Sequence, residues 1–437
     1  MTKLSGAILG MAFAVMVLGS FGVVAAENSR VTFTKDVLPI LQQSCVECHR
    51  EGGNNIAGMI APMSLRTYAE VRPWSKAILK AVTSGDMPPW DATSEFNGVF
   101  SNERTITPEE VATIERWVET GAARGNPSDA PAPLDLQENN GWNIGEPDLV
   151  IRLPEPYWVA DEVQDIQPRF MVEITEEQLP ESRWLRAIEW KADSAVVHHI
   201  VGGSTPPGDI EFPDGSNRQS LGSIAPGEDP TIYPEGYGKI LHKGSTIRFG
   251  MHYHKEPGPG TGMWDQSMIG FRFWDPEKDP PVTHQVHWNG ISARGYEVPP
   301  GVKKWQVGAA RTFDVATTIL SFHPHMHLRG HDMKYIAYYP DGTQETLLDV
   351  PAYNYDWQTN YIFAEPKLMP AGTRVEIFGH YDNSVDNERN PDATVPVRGG
   401  ALTTDEMFIG FISYTNTEPL TAEEIEANIH SISTGTD

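Results

Sequence analysis

Cysteine is nearly absent from this chain. Its 437 residues include only two, Cys45 and Cys48, three positions apart. Such a pair cannot form a disulfide framework spanning a protein of this size. Cations are also scarce, with 33 Lys and Arg against 59 Asp and Glu, a net charge of −26. Nucleic acid is therefore a poor partner, because phosphate binding needs clustered basic side chains. No run after residue 26 is long and apolar enough to cross a bilayer. Short internal repeats and low-complexity tracts are missing too. What the chain does have is 39 glycines and 35 prolines with only 21% charged residues. That composition suits a turn-rich globular protein with much β-structure, and the length allows about three domains.

The N-terminus reads as an export signal. Lys3 precedes an uncharged, mostly apolar run from Leu4 to Ala26, and Val24-Ala25-Ala26 resembles a small-residue cleavage site before Glu27. Residues 1–26 are thus expected to be removed, leaving a periplasmic or otherwise exported protein that carries no membrane segment. An uncleaved anchor is the alternative reading of the same run.

Residues 27–128 carry helical signals. Thr34 is expected to cap a helix over about Lys35 to Ser44, and Tyr68 to Val82 has apolar side chains at helical spacing. Thr107-Pro108-Glu109-Glu110 combines a capping hydroxyl, a first-turn proline and acids where the helix dipole favours them, with a stop expected at Gly121. Residues 129–145 read as a solvated, proline-containing linker. Beyond Gly145 the pattern becomes short alternating runs, among them Trp184–Trp190, Ser245–Met251, Thr317–Phe322 and Met407–Tyr414, with Asp341-Gly342 as a hairpin turn. Two β-sandwich domains are expected, over 146–296 and 297–437. The acidic excess lies mostly in this β-region, where it favours solubility.

Cys45-Val46-Glu47-Cys48-His49 is the C-x-x-C-H pattern of covalent c-type haem attachment. Two thiols one helical turn apart can each form a thioether, and the adjacent His49 imidazole then lies under the iron. A redox C-x-x-C pair belongs near a βαβ pattern, absent here, and a zinc site needs further ligands nearby. The second axial ligand is expected to be Met87, in Gly85-Asp86-Met87-Pro88-Pro89-Trp90, with Met59 and Met63 as competitors. In this loop the sequence resembles class I cytochromes c. A His/Met pair raises the haem potential, which suits an electron relay.

The 14 histidines cluster as His198-His199, Met251-His252-Tyr253-His254 and His323-Pro324-His325-Met326-His327, with His331 close behind. Residues two apart on a strand share a face, so an H-x-H pair can chelate one metal. Adjacent residues point to opposite faces, so His198 and His199 can share a metal only where the strand is irregular. Imidazole suits copper, zinc, iron and nickel, and thioether favours Cu(I). Blue copper needs a thiolate, and haem attachment uses both cysteines.

Four of these pieces, taken in order, resemble the copper type II, ascorbate-dependent monooxygenases, the family that includes dopamine β-hydroxylase and peptidylglycine α-hydroxylating monooxygenase. They are His198-His199-Ile200, Met251-His252-Tyr253-His254, His325-Met326-His327-Leu328-Arg329-Gly330 and Asp405-Glu406-Met407, and they cover residues 145 to 430. The resemblance implies two jelly-roll β-sandwich domains with one copper each. It places an electron-transfer copper on His198, His199 and His252, and the catalytic copper on His325, His327 and Met407. His254, His323 and His331 receive no role from it. Peptide-amidating members hold a carboxylate with an arginine two positions before the H-x-H and polar residues after the methionine. Here those positions are His323, Ile409 and Phe411, which implies a more apolar pocket and argues against a peptide C-terminus as substrate.

Taken together, the expected architecture is a small all-α cytochrome c domain followed by two all-β jelly-roll sandwiches, holding one haem c and two copper ions. The expected activity is hydroxylation of a C–H bond of a small organic substrate by O₂, with an external donor reducing the haem. A non-catalytic haem and copper electron-transfer or copper-handling protein is the alternative, and a zinc or iron hydrolase or lyase is a third reading.

Overall fold

The structure is a computed structural model and describes residues 30–50, 61, 63–134, 141–208, 210, 212, 216–225 and 228–430. The expected export signal (1–26) and the competing ligand Met59 lie outside the described residues. Among the described residues, no helix is long and apolar enough to cross a membrane.

Strands dominate after Leu149; some, such as Gly330–Tyr338 and Arg374–Tyr381, alternate a core face with an outer face, whereas Arg183–Lys191 and Thr317–His325 are buried along most of their length. In the first sandwich, one sheet runs in the order Leu149–Arg152, Met268–Phe273, Arg183–Lys191, Tyr237–Leu241 and His284–Gln285. The facing sheet runs Asp165–Ile166, Thr246–His254, Val197–Thr205 and Gln219–Ile224, with Arg169–Glu173 also paired to Thr246–His254. Ile188, Trp190 and Phe271 from one sheet meet Ile200, Phe249 and Met251 from the other in a single apolar core. Full burial of a side chain of this size is worth about 1.5–3 kcal/mol. Gly202 is required here: a Cβ at that position would lie 1.7 Å from the Trp190 ring.

The second sandwich packs the sheet His287–Ser292, Ile409–Asn416, Thr317–His325 and Tyr361–Met369 against Trp305–Thr312, Arg374–Tyr381, Gly330–Tyr338 and Gln344–Val350. Phe322 and Ile412 from the first of these sheets meet Tyr335 and Ile377 from the second. The expected Asp341-Gly342 turn joins Gly330–Tyr338 to Gln344–Val350, with Gly342 at φ 88°. The division at residue 296 is displaced. Strand His287–Ser292 pairs with Ile409–Asn416 and so belongs to the second sandwich.

Four α-helices sit in the N-terminal portion, at Leu38–Ser44, Tyr68–Val71, Ser75–Ser84 and Pro108–Glu119, and a fifth, Ala422–His430, lies near the C-terminus. Thr107 and Glu110 form a reciprocal capping box, so that start signal was legible. Thr34 is not the cap of the first helical segment. Thr32 precedes it, and the Thr34 hydroxyl instead donates to the Arg124 carbonyl at 3.1 Å. The expected Tyr68–Val82 helix is interrupted by a 3₁₀ turn at Arg72–Trp74, where Pro73 cannot donate a backbone hydrogen bond. A core of Phe33, Leu41, Ile114 and Trp117 ties these helices together. The expected separate all-α cytochrome c domain over 27–128 is not evident, because its later part is built into the second sandwich. Phe96 and Phe100 lie in the core of the second sandwich, and Ser101 N–H donates to the Ile362 carbonyl at 2.8 Å. In return, Leu420 and Ile429 near the C-terminus pack on Trp184, Ile240 and Trp274 of the first sandwich.

Candidate metal and cofactor sites

The sheet pairing explains how two adjacent histidines come to share a site. His252 pairs with His199 while Tyr253 pairs with Val197, so the register skips His198. This bulge is the irregularity that adjacent ligands require, since it turns His198 toward His199 instead of the opposite face. The ligand nitrogens of His198, His199 and His252 lie within 4.8 Å of one another. His199 Nδ1 is 3.1 Å from His198 Nδ1 and 3.2 Å from His252 Nδ1. His252 Nε2 lies 3.0 Å from Asp165 Oδ1. A carboxylate only accepts, so the His252 proton sits on Nε2 and its Nδ1 lone pair faces the other two rings.

Burial lowers all three imidazoles, His198 to about 3, His199 well below its ordinary value, and His252 in the same direction. Burial thus favours the neutral form of rings whose nitrogens converge on one point. The donor set therefore fits a metal ion. Asp165 is held further by Thr403, whose hydroxyl donates to Oδ2 at 2.9 Å, and by His254 at 3.4 Å. Tyr355 stacks on His198 with ring centroids 5.1 Å apart. Thr403 and Tyr355 belong to the second sandwich, so both domains build this site.

The second group occupies the end of strand Thr317–His325 and the turn after it. His325 Nδ1 meets Gln358 Oε1 at 2.6 Å, and His327 Nδ1 meets the Asp405 carbonyl at 3.1 Å. Each contact places the ring proton on Nδ1 and leaves Nε2 bare. The two rings are 5.3 Å apart and nearly perpendicular. Burial lowers His325 well below its ordinary value and His327 to about 4. The Asp405-Glu406-Met407 tripeptide divides its work. The Asp405 carbonyl orients His327, and the buried Glu406 carboxylate accepts from the backbone N–H of His327 and Arg329 at 3.0 and 2.8 Å. Met407 lines the same cavity as the two histidines.

That cavity, about 280 Å³, is lined by His199 and His252 on one wall and by His325, His327 and Met407 on the other. Trp288 and Phe411 are stacked along it with centroids 4.0 Å apart. His323 also lines it and meets Glu228, from the first sandwich, at 2.7 Å. His331 instead meets Asp332, which also bonds His380.

A separate cavity of about 550 Å³ lies in the helical portion, lined by Cys45, Cys48, His49, Met63 and Met87 among mostly apolar neighbours. Both thiols are free, and burial pushes them up to about 12 and about 11. His49 Nδ1 faces the Met63 carbonyl at 3.2 Å, so the proton sits there and Nε2 keeps its lone pair. Two thiols, a bare imidazole nitrogen and thioethers around a large apolar space fit a macrocycle with an iron centre. Trp357 lines this cavity too, and Gln358, the next residue, holds His325.

The residues selected from sequence thus form three groups. Sequence reading missed Asp165, Gln358, Tyr355 and Thr403, which orient or cover the histidines from loops and short strands without a motif. It also missed Arg169 and Arg248. Arg248 is detectable in retrospect, because Arg248-x-Gly250-x-His252 alternates on one strand face.

No family model matches the chain, and no curated protein matches it. Among solved structures, the STIV MCP is 7% identical with TM-score 0.28, covering 63% of this chain and 97% of its own. The infectious bursal disease virus VP2 subviral particle is 10% identical with TM-score 0.19, covering 63% and 74%. An oxalate decarboxylase of Bacillus subtilis is 8% identical with TM-score 0.13, covering 62% and 78%. Likenesses this slight carry no argument about fold or activity.

Proposed function

We propose that the chain is a copper-dependent monooxygenase that hydroxylates a small organic substrate and draws its electrons through a haem held by the same polypeptide. The observation that carries this reading is the single cavity with one histidine group on each wall. His198, His199 and His252 would hold one copper, and His325, His327 and Met407 the other. Cys45 and Cys48 would attach the haem, with His49 and Met87 as its axial ligands. When bound, these groups supply one-electron transfer and O₂ activation, chemistry that no side chain of this chain performs.

The protein's own share is orientation and exclusion. Asp165, Gln358 and the Asp405 carbonyl each engage one nitrogen of a ring and leave the other bare, so that it would be free to ligate a metal. Imidazole with thioether at the Met407 position favours the reduced copper state. Trp288, Phe411 and Ile409 give the cavity an apolar wall, where an apolar C–H group displaces water favourably. The jelly-roll connectivity and the export of the mature chain belong to the same proposal.

Metal analysis and turnover test it together. Two coppers and one iron per chain are expected, and Met407→Ala should abolish product while leaving the haem absorbance intact. Zinc alone in the purified protein, or continued hydroxylation by that variant, overturns the reading.

A further inference from the structure

The cavity between the sandwiches also carries a charge pattern that neither metal group uses. Arg169 and Arg248 line it, and among the described residues no Asp or Glu does, although the chain has 59 of them. Asp165 and Glu228, which adjoin it, are engaged with His252 and His323. The sheet register explains the placement. Arg248, Gly250 and His252 share one face of their strand, and Arg169 stands beside Gly250 on the neighbouring one. Because Gly250 has no side chain, the Arg248 guanidinium folds over it, with Nη1 3.9 Å from where a Cβ would lie.

A hollow of about 250 Å³ adjoins the cavity, shares Val201, Arg248 and Trp288 with it, and adds Arg218. Among the described residues, no carboxylate lies within 4.0 Å of any of these three guanidiniums. Burial, with Arg218 and Arg169 nearby, lowers Arg248 from its ordinary value. Three like charges gathered in a strongly acidic protein repel one another unless an anion joins them.

We propose that this cleft binds a small organic anion, its carboxylate-like head on Arg248 and Arg169 and its apolar body along Trp288 and Phe411. Calling that anion the substrate rests on the function proposed above; the binding itself does not. A guanidinium offers a planar fork that matches a carboxylate with two parallel hydrogen bonds. Four residues of strand separate Arg248 from His252, roughly 13 Å. The Arg248 guanidinium folds back over Gly250, where Arg169 also stands, so the head sits between Arg248 and His252 while the apolar body runs along Trp288 and Phe411, whose ring lies 6.1 Å from that of His325. The clamp comes from the first sandwich, not from the position of His323, which explains how an anion fits a cavity whose other wall is apolar.

Calorimetric titration of the full-length protein tests this with 4-phenylbutanoate, its neutral amide and the corresponding amine. The carboxylate should bind at least roughly tenfold more tightly than the amide, and the amine more weakly than either. Arg248→Gln should weaken carboxylate binding by at least roughly tenfold and leave amide binding unchanged, whereas Arg248→Lys should retain more of it. Melting temperature and copper content, measured on the same variants, should match the parent. Equal binding of carboxylate and amide, preference for the amine, absence of binding by all three, or indifference to Arg248→Gln overturns the proposal. Failure of the function reading is seen elsewhere, as missing copper or iron in a protein that still selects the anion.

Discussion

Asp165→Leu should weaken copper binding at one site and spare the other. Asp165 accepts from His252 at 3.0 Å, from Thr403 at 2.9 Å and from His254 at 3.4 Å. Burial alone would raise its carboxyl, but the neighbouring His252 and these hydrogen bonds outweigh burial and hold it below its ordinary value. The His252 contact is therefore made to an ionised acceptor, and such a bond is worth about 2 kcal/mol. Without it the His252 proton can move to Nδ1, the atom that faces His199. Restoring the ligand tautomer on binding then opposes the metal by that amount, a factor of roughly 30 in affinity. Asp165→Asn keeps a neutral acceptor and should lose less. The assay is Cu(I) titration of the demetallated protein against a competing chelator, which reports each site separately. The His325 and His327 site has no contact with Asp165 and should keep its affinity. Two unchanged affinities, or equal loss at both sites, would refute the tautomer argument.

Gln358→Leu conserves volume but removes the acceptor of His325 Nδ1, which lies 2.6 Å away. Affinity at the His325 and His327 site should fall roughly tenfold, with altered copper hyperfine coupling in electron paramagnetic resonance and unchanged haem absorbance. Glu189 provides a pH test unrelated to metal. It is buried, and burial pushes it from 4.5 up to about 7 although Asn143 and Ile144 donate to it. The folded protein therefore keeps a proton that the unfolded chain releases. That contribution to stability is complete below about pH 4.5 and is lost as pH rises through 7. Urea unfolding between pH 5 and 8 should show the parent losing about 3 kcal/mol relative to Glu189→Gln. A parallel pH dependence in the two proteins would refute it.

How much of the site was legible in the sequence depends on how locally each part is built. Cys45, Cys48 and His49 were readable because attachment chemistry demands contiguous residues, and Thr107 with Glu110 because a capping box spans one turn. The H-x-H spacing of His252 and His254 marked that strand as a candidate for metal ligands. The role of His198 was not readable from its own strand, because the bulge that turns it is a property of the pairing with Thr246–His254. Strand His287–Ser292 fell on the wrong side of the domain division for a related reason. Nothing in its own residues shows that its partner is 120 residues downstream. The groups that orient the histidines are single side chains on other strands and loops, and single residues have no periodicity.

The segment 351–360, between strands Gln344–Val350 and Tyr361–Met369, shows what such a reading loses. Tyr353 exchanges hydrogen bonds with the Met326 backbone between His325 and His327. Tyr355 stacks on His198 in the other sandwich, Trp357 lines the helical cavity, and Gln358 holds His325. The Asn360 carbonyl accepts from Asn102, on the N-terminal segment that also reaches Asp229 of the first sandwich. A ten-residue connection thus touches all three sites and all three portions of the chain. Tyr353, Tyr355 and Gln358 are buried and hydrogen-bonded, so a shift at one of their contacts is felt at the others through close packing. Mutations here should therefore be non-additive. Tyr355→Phe combined with Gln358→Leu is expected to change metal affinity by an amount different from the sum of the single effects, whereas Asp165→Leu combined with Glu189→Gln, at sites with no shared partner, should add. Additivity in the first pair would mean that the segment holds each site independently.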